Sequence, residues 1–308
     1  MRVSSSQYHI TVNAALQKSN TELENLMQQM ASGNRLTRPS DDPISHVRIS
    51  RLQREEANIA QYLDNIGALS TRMSQSETVM SSINTDLLSA RDLMVWALDG
   101  ANTSEDLSAM ATSLEALRDA LMASTQTKDQ EGNYLFSGTA TKNPTVVLQT
   151  TTDANGNAVT QYAAQGNTSQ QMVVVGNGLT QPANVTLGDE MAAVLNTLNA
   201  AITAIRQPSV TANDPATRAA LTNALGGIDT AMDQVSTKIS KLGGAQNIMA
   251  TLETNWRNMS TANQVATLEY AQLDYAKAAT QLNSLMAAVQ ATQGAYGKVS
   301  QLSLFSVL

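Results

Sequence analysis

The chain has no cysteine, so disulfides and thiolate metal sites are excluded and stability rests on packing alone. Aromatic residues make up only 4%, with two Phe in 308 residues, too few for the dense core of a compact enzyme of this length. Charged residues stand at 15%, against the usual quarter, and the net charge is -7. No basic patch interleaves with aromatics, which argues against nucleic-acid binding. No run of about 18 apolar residues is available for a membrane span. Arg2 is followed by a polar Ser-Ser-Ser-Gln run rather than the apolar block of a cleavable signal, so export, if it occurs, takes a route without Sec cleavage. The two histidines, His9 and His46, lie far apart with no Cys or His partner nearby, which leaves zinc without a ligand set. No nucleophile elbow, Walker loop or dinucleotide fingerprint appears, and neither a catalytic residue nor a cofactor is assigned.

What the chain does have is Ala, Ser, Thr, Gln, Asn and Met in helical periodicity. Val12, Leu16, Ser19, Leu23, Leu26 and Met30 recur at steps of four and three, the mark of a helix whose seam faces another helix. Ala271, Tyr275, Ala278, Leu282, Leu285, Val289, Thr292, Tyr296 and Val299 repeat the pattern near the other end. Neither stripe has hydrophobic mass beside it in sequence, and a surface low in charge costs little to desolvate. The pattern therefore predicts burial of the termini by other copies, and assembly rather than catalysis. The assembly contacts expected are Val12, Leu16, Leu23, Leu26 and Met30 on the first stripe, and Tyr275, Leu282, Leu285, Val289 and Tyr296 on the second, with Phe305 beyond it.

Between the stripes, a helix over about residues 5–31 ends at Gly33-Asn34. Asp42 as N-cap with Pro43 at the first helical position starts the next, since Pro lacks an N–H that would be orphaned there. This helix runs to Leu98 with Ile59, Leu63, Ile66, Met73, Met80, Ile83, Leu87, Ala90 and Met94 along its seam, a rod on the order of 80 Å. A third helix starts at Thr103 or Ser104 and stops before Gly132-Asn133, lying antiparallel to the second. Residues 134–188 change texture to short β-branched runs, Thr145-Val146-Val147-Leu148 and Met172-Val173-Val174-Val175, with Asn155-Gly156 as a hairpin turn. Helical periodicity returns at Met191 and ends at Pro208. Asp214-Pro215 repeats the cap-plus-proline start of a stripe through Leu221, Leu225, Ile228, Met232, Val235, Ile239 and Leu242, interrupted by Gly226-Gly227 and Gly243-Gly244. The stripe slips in phase between Ala266 and Tyr275, which marks a boundary.

The fold expected is mainly α with a small inserted β domain, a long antiparallel coiled-coil-like bundle built from both ends of the chain. Terminal helices 1–40 and 270–308 form an inner assembly domain, 41–133 and 189–269 a helical rod, and 134–188 an exposed β domain of hairpins.

Several motifs carry a resemblance. They are Met1-Arg2-Val3-Ser4-Ser5, Ala31-Ser32-Gly33-Asn34-Arg35-Leu36, and Pro39-Ser40-Asp41-Asp42-Pro43. Gly132-Asn133-Tyr134-Leu135-Phe136-Ser137-Gly138-Thr139, Leu273-Asp274-Tyr275-Ala276 and the closing Leu302-Ser303-Leu304-Phe305 continue the set. With these blocks the chain resembles the flagellin family, and within it the hook-associated proteins of the hook–filament junction. The likeness covers about residues 1–138 and 189–308. It implies a flagellin-like fold and export unfolded through the flagellar type III apparatus, directed by the N-terminal segment. It also implies a cytosolic chaperone on the C-terminal helix and a homo-oligomeric layer between hook-associated protein 1 and the flagellin filament. The location implied is extracellular, at the hook–filament junction, after a transient cytoplasmic stage.

Two other readings remain open. One is a flagellin filament subunit, against which stand the Tyr134-Leu135-Phe136-Ser137-Gly138 block and the Ser-Leu-Phe ending. The other is a secreted binding module or hydrolase with its site in the β segment, which offers one acid, Asp153, and no Glu or His between residues 134 and 188. Asp153-Ala154-Asn155-Gly156-Asn157 lacks the closing Glu of a calcium loop and reads as a turn. Asp41-Asp42 is explained by helix capping without acid–base chemistry.

Overall fold

The computed structural model describes the backbone of residues 2–152 and 158–305, and the side chains of residues 7–151 and 159–298. Six helices carry the chain: α1 Arg2–Ser32, α2 Pro43–Ala97, α3 Ser104–Thr125, α4 Gly188–Ile205, α5 Pro215–Ala271 and α6 Tyr275–Phe305. Between α3 and α4 lie four strands, β1 Val146–Thr152, β2 Ala158–Ala164, β3 Met172–Gly176 and β4 Leu179–Pro182. The fold is that of a mainly helical, flagellin-like chain with a small strand segment. Residues 1–59 with 258–308 form one compact unit, and residues 60–257 form a second.

Local chemistry sets the helix ends. Gly33 closes α1 with φ +73, a left-handed value that a Cβ would strain. The Asp42 carboxylate accepts the Ser45 N–H at 3.1 Å, capping α2 ahead of Pro43. At α3, Thr103 and Asp106 form a reciprocal capping box. Asp214 caps α5 through the Thr217 N–H at 3.0 Å, and Asp274 caps α6 through the Lys277 N–H at 3.1 Å.

In the unit of residues 60–257, α2 buries Ile66, Leu69, Met73, Ser76, Met80, Ile83, Leu87, Ala90, Met94 and Ala97, a seam with strict steps of three and four in which Ser76 is the one polar member. On α5 the deepest positions are Leu221, Ala224, Ile228, Ala231 and Val235, whereas Leu225, Met232 and Ile239 flank the seam half-buried. Alternate seam places thus hold alanine, which lets the helices approach closely, and the larger side chains cover the edges. The glycine pairs at 226–227 and 243–244 interrupt the apolar stripe but not the helix, because the surrounding contacts offset a helical cost of about 1 kcal/mol per glycine.

The strands form two antiparallel hairpins, β1 with β2 and β3 with β4, the second bulged between Val174 and Gly176. The Asn155-Gly156 turn expected between β1 and β2 lies outside the described residues. Val146, Tyr162 and Val175 enter the same core as α2 to α5. Asn196 on α4 clamps Tyr162, its Oδ1 accepting the Tyr162 N–H at 2.7 Å and its Nδ2 donating to the Tyr162 carbonyl at 2.8 Å. Asn65 Nδ2 and Trp256 Nε1 donate to the carbonyls of Val174 and Val175. The Tyr134-Leu135-Phe136-Ser137-Gly138 block has a structural explanation here. Leu135 and Phe136 are buried in the core, Ser137 bonds Thr145 at 2.9 Å, and Gly138 (φ +69) leaves no room for a Cβ beside Asn167.

Candidate assembly surface

The terminal unit is built around the pairing of α1 with α6. Leu26, Leu273 and Ala278 are buried together, with Met30, Leu282 and Leu285 packed against them. Higher along the pair, His9 and Tyr296 meet edge to face with centroids 5.3 Å apart. Every expected contact on α1 lies on the covered side: Val12, Leu16, Leu23 and Met30 are half-buried, and Leu26 is only 6% exposed. On α6, Leu282, Leu285, Val289 and Tyr296 are half-buried in the same way. The Tyr275 ring is exposed, but its hydroxyl donates to the Met30 carbonyl at 3.1 Å. The Phe305 side chain lies outside the described residues.

Where the sequence pattern shows no local partner for either stripe, the structure supplies one. Each stripe covers the other, some 250 residues away along the chain, a pairing that periodicity alone cannot reveal. The cover is thin. Across two helices of 31 residues each, three side chains of this cluster are buried and three more pack against them. Further burial against neighbouring molecules would stabilise such a pair.

A polar joint fixes the pair to the helices that follow. The Arg35 N–H donates to the Ala271 carbonyl at 2.7 Å and the Leu273 N–H to the Gly33 carbonyl at 3.0 Å, so the break between α1 and α2 is laced to the break between α5 and α6. The Arg35 guanidinium reaches Asp42 at 3.3 Å and the Tyr270 carbonyl at 3.1 Å. Arg48 lies 5.4 Å over the Tyr270 ring and donates to its hydroxyl at 3.2 Å. The Ser45 hydroxyl, then the Ser45 N–H and Arg35, hold the Asp42 carboxyl below its ordinary value. The Arg38 N–H does the same for Asp41, with help from Thr37. The Arg-Leu-Thr-Arg-Pro-Ser-Asp-Asp-Pro stretch is therefore a hydrogen-bonded elbow rather than a pair of reactive acids. The boundary that the phase slip before Tyr275 marks falls at this break between α5 and α6, whereas the lacing by Arg35, Arg48 and Tyr270 has no signal in periodicity.

Among the described residues, no group of His, Asp and Glu is placed to hold a metal ion, and no helix is long and apolar enough to cross a membrane.

Comparison with known proteins places the chain among flagellar proteins. The bacterial flagellin N-terminal helical region matches residues 3–141. Flagellar hook-associated protein 3 of Salmonella typhimurium is 25% identical over 319 residues, covering 100% of this chain and 99% of that protein. A flagellar hook-associated protein of known structure from Vibrio parahaemolyticus is 30% identical with a TM-score of 0.66, covering 75% of this chain and 100% of that one. The flagellar junction protein FlgL from Legionella pneumophila, 16% identical with a TM-score of 0.57, shares the fold over 72% of this chain and 100% of its own.

Proposed function

The chain belongs to the flagellar hook-associated protein 3 family, and from this premise we propose that it is the structural, non-enzymatic protein that joins hook to filament. It is a component of the bacterial flagellum that assembles with other flagellar proteins. In this reading its copies polymerise into a layer bounded by hook-associated protein 1 on one side and flagellin on the other. The terminal parts 1–40 and 270–308 form the inner assembly domain, 41–133 and 189–269 set the spacing between layers, and 134–188 faces outward. Before incorporation the chain passes unfolded from the cytoplasm through the flagellar type III export apparatus, its C-terminal helix held until then by a cytosolic chaperone. Outside the cell it resides at the hook–filament junction.

The observation that carries the reading is the thinly covered α1–α6 pair in a chain that matches hook-associated protein 3 along its whole length. A contact that repeats without closing on itself generates a helical layer onto which further subunits can add. The match of residues 3–141 to the flagellin N-terminal region keeps a filament subunit as the second reading. Deleting the gene separates the two. Loss of a junction layer leaves intact hooks and releases flagellin into the medium as unattached monomer; loss of a filament subunit removes flagellin itself.

A further inference from the structure

Resting on the proposed polymerisation, we infer that Trp96 on α2 inserts into a recess between α5 and the β4–α4 link of a second copy of this chain. The recess, about 220 Å³, lies within the unit of residues 60–257. Met73 and Leu242, 3% and 6% exposed, form its apolar floor, and Val185 and Ala245 stand half-buried above them. Its buried polar group is already satisfied, because Asn184 Oδ1 accepts the Gln171 N–H at 2.7 Å and Asn184 Nδ2 donates to the Ser169 carbonyl at 3.1 Å. Lys238 is held in the same way by Glu190 at 2.6 Å and by the Thr186 carbonyl. An apolar guest therefore strands nothing. What remains is an apolar space with one free cation at its mouth, Lys241, which is exposed and has no partner among the described residues. Small-molecule sites run from about 300 Å³ upward, so this smaller volume suits one large side chain.

Trp96 is 59% exposed, whereas the other indole, Trp256, is half-buried against Tyr62 and bonded to the Val175 carbonyl. Tryptophan is among the residues most enriched where binding energy concentrates. Its charged surroundings select the recess. Asp92 and Asp99 lie one turn to either side of Trp96, and both are exposed. Among the exposed large apolar side chains described on helices, Val95 and Trp96 alone have an acid one turn away in each direction, and the indole is the larger. The Asp92 carboxylate makes no hydrogen bond among the described residues, so it is free to meet Lys241 at the mouth. The Gln170 carboxamide, exposed on the rim, can accept from the indole N–H. The guest has to come from another copy. Met73 and Trp96 stand about 35 Å apart along α2, so no chain can fill its own recess. Because knob and recess are different patches, the contact is heterologous; each copy keeps one of them free, and the next copy can add.

Photochemical cross-linking in assembled flagella tests this. Cells lacking the natural gene receive a version with Trp96 replaced by the photoreactive p-benzoylphenylalanine, which keeps an aromatic knob, and isolated flagella are irradiated. The position is exposed, so folding should tolerate the change. The inference predicts a covalent dimer of this chain whose linked peptides contain Met73, Val185 or Leu242. A second probe, the same residue in place of the exposed Gln170, should link to peptides containing Trp96 and reads the contact from the other side. Lys241→Glu should lower the dimer yield about tenfold, and adding Asp92→Lys should restore it. A dimer that neither charge change moves, or one linked outside the recess, overturns the inference. Cross-links to flagellin or to hook-associated protein 1 in place of the dimer overturn it in favour of another occupant. No dimer from either probe, with the unsubstituted chain present in flagella, overturns it and leaves the junction role standing. Absence of the unsubstituted chain from flagella overturns the junction role and this inference with it.

Discussion

Leu26→Asp separates the two structural units energetically. Leu26 is 6% exposed and sits at the centre of the only apolar cluster that joins α1 to α6 among the described residues. Removing the leucine forfeits about 2 kcal/mol of transfer free energy, and a carboxylate in its place must either desolvate or force the helices apart. Taking the second, cheaper course, the pair loses about 3–4 kcal/mol from a contact otherwise made only by Leu273, Ala278 and the half-buried Met30, Leu282 and Leu285 among the described residues. Released helices of this length are marginal in water, so both should fray. The core of residues 66–249 shares no residue with the affected cluster and should hold. Hydrogen exchange followed by mass spectrometry reads both outcomes. Amides in 7–32 and 275–298 should lose protection to within about 1 kcal/mol of the unfolded chain, while the seam of α2 from Ile66 to Met94 keeps its wild-type rates. Retained protection in both terminal helices, or an equal loss across α2 to α5, would refute the reasoning.

Other consequences follow from particular residues. Leu285→Asp should leave the core of residues 66–249 folded by circular dichroism yet abolish filament attachment, scored by swarming and electron microscopy; a normal filament count counts against the assembly role. Asp41 and Asp42 have depressed folded-state carboxyl values, so their contribution is present above their ordinary 3.8 and is lost as pH falls through the lower folded values. Acid titration of a tryptophan-independent probe on the elbow should therefore show loosening only below about pH 4, and Asp42→Asn should loosen it at neutral pH. Gly243→Ala should raise stability by about 1 kcal/mol, since nothing lies within 4 Å of the added Cβ, whereas Gly227→Ala should gain nothing because that Cβ would sit 2.6 Å from Thr197 Oγ1. Equal gains at the two sites in urea melts would contradict the close approach of Thr197 on α4 to Gly227 on α5.

Most of the helical frame is legible in the sequence because its signals are local. Asp42-Pro43 and Asp214-Pro215 place two helix starts, Gly33 one end, and the α2 seam from Ile66 to Met94 reads directly from its steps of three and four. The α5 seam is half-legible. Hydrophobicity picks Leu225, Met232 and Ile239, but the tightest positions belong to Ala224 and Ala231, because closeness of approach rather than side-chain size decides what lies deepest. Long-range geometry is where the sequence falls silent. The stripes on α1 and α6 each announce a seam, but nothing local says that they face one another, nor that Arg35 ties the elbow to Tyr270 and Ala271. The recess shared by Met73, Val185 and Leu242 is equally invisible, since its lining comes from three distant stretches of the chain.

The central claim is that copies of this chain form one layer where hook meets filament. Gold labelling of an epitope inserted in the chain between β1 and β2, viewed on intact flagella by electron microscopy, measures this most directly. The account predicts a single band at the hook–filament boundary and bare filament beyond it. Label distributed along the filament would contradict it and make the chain a filament subunit.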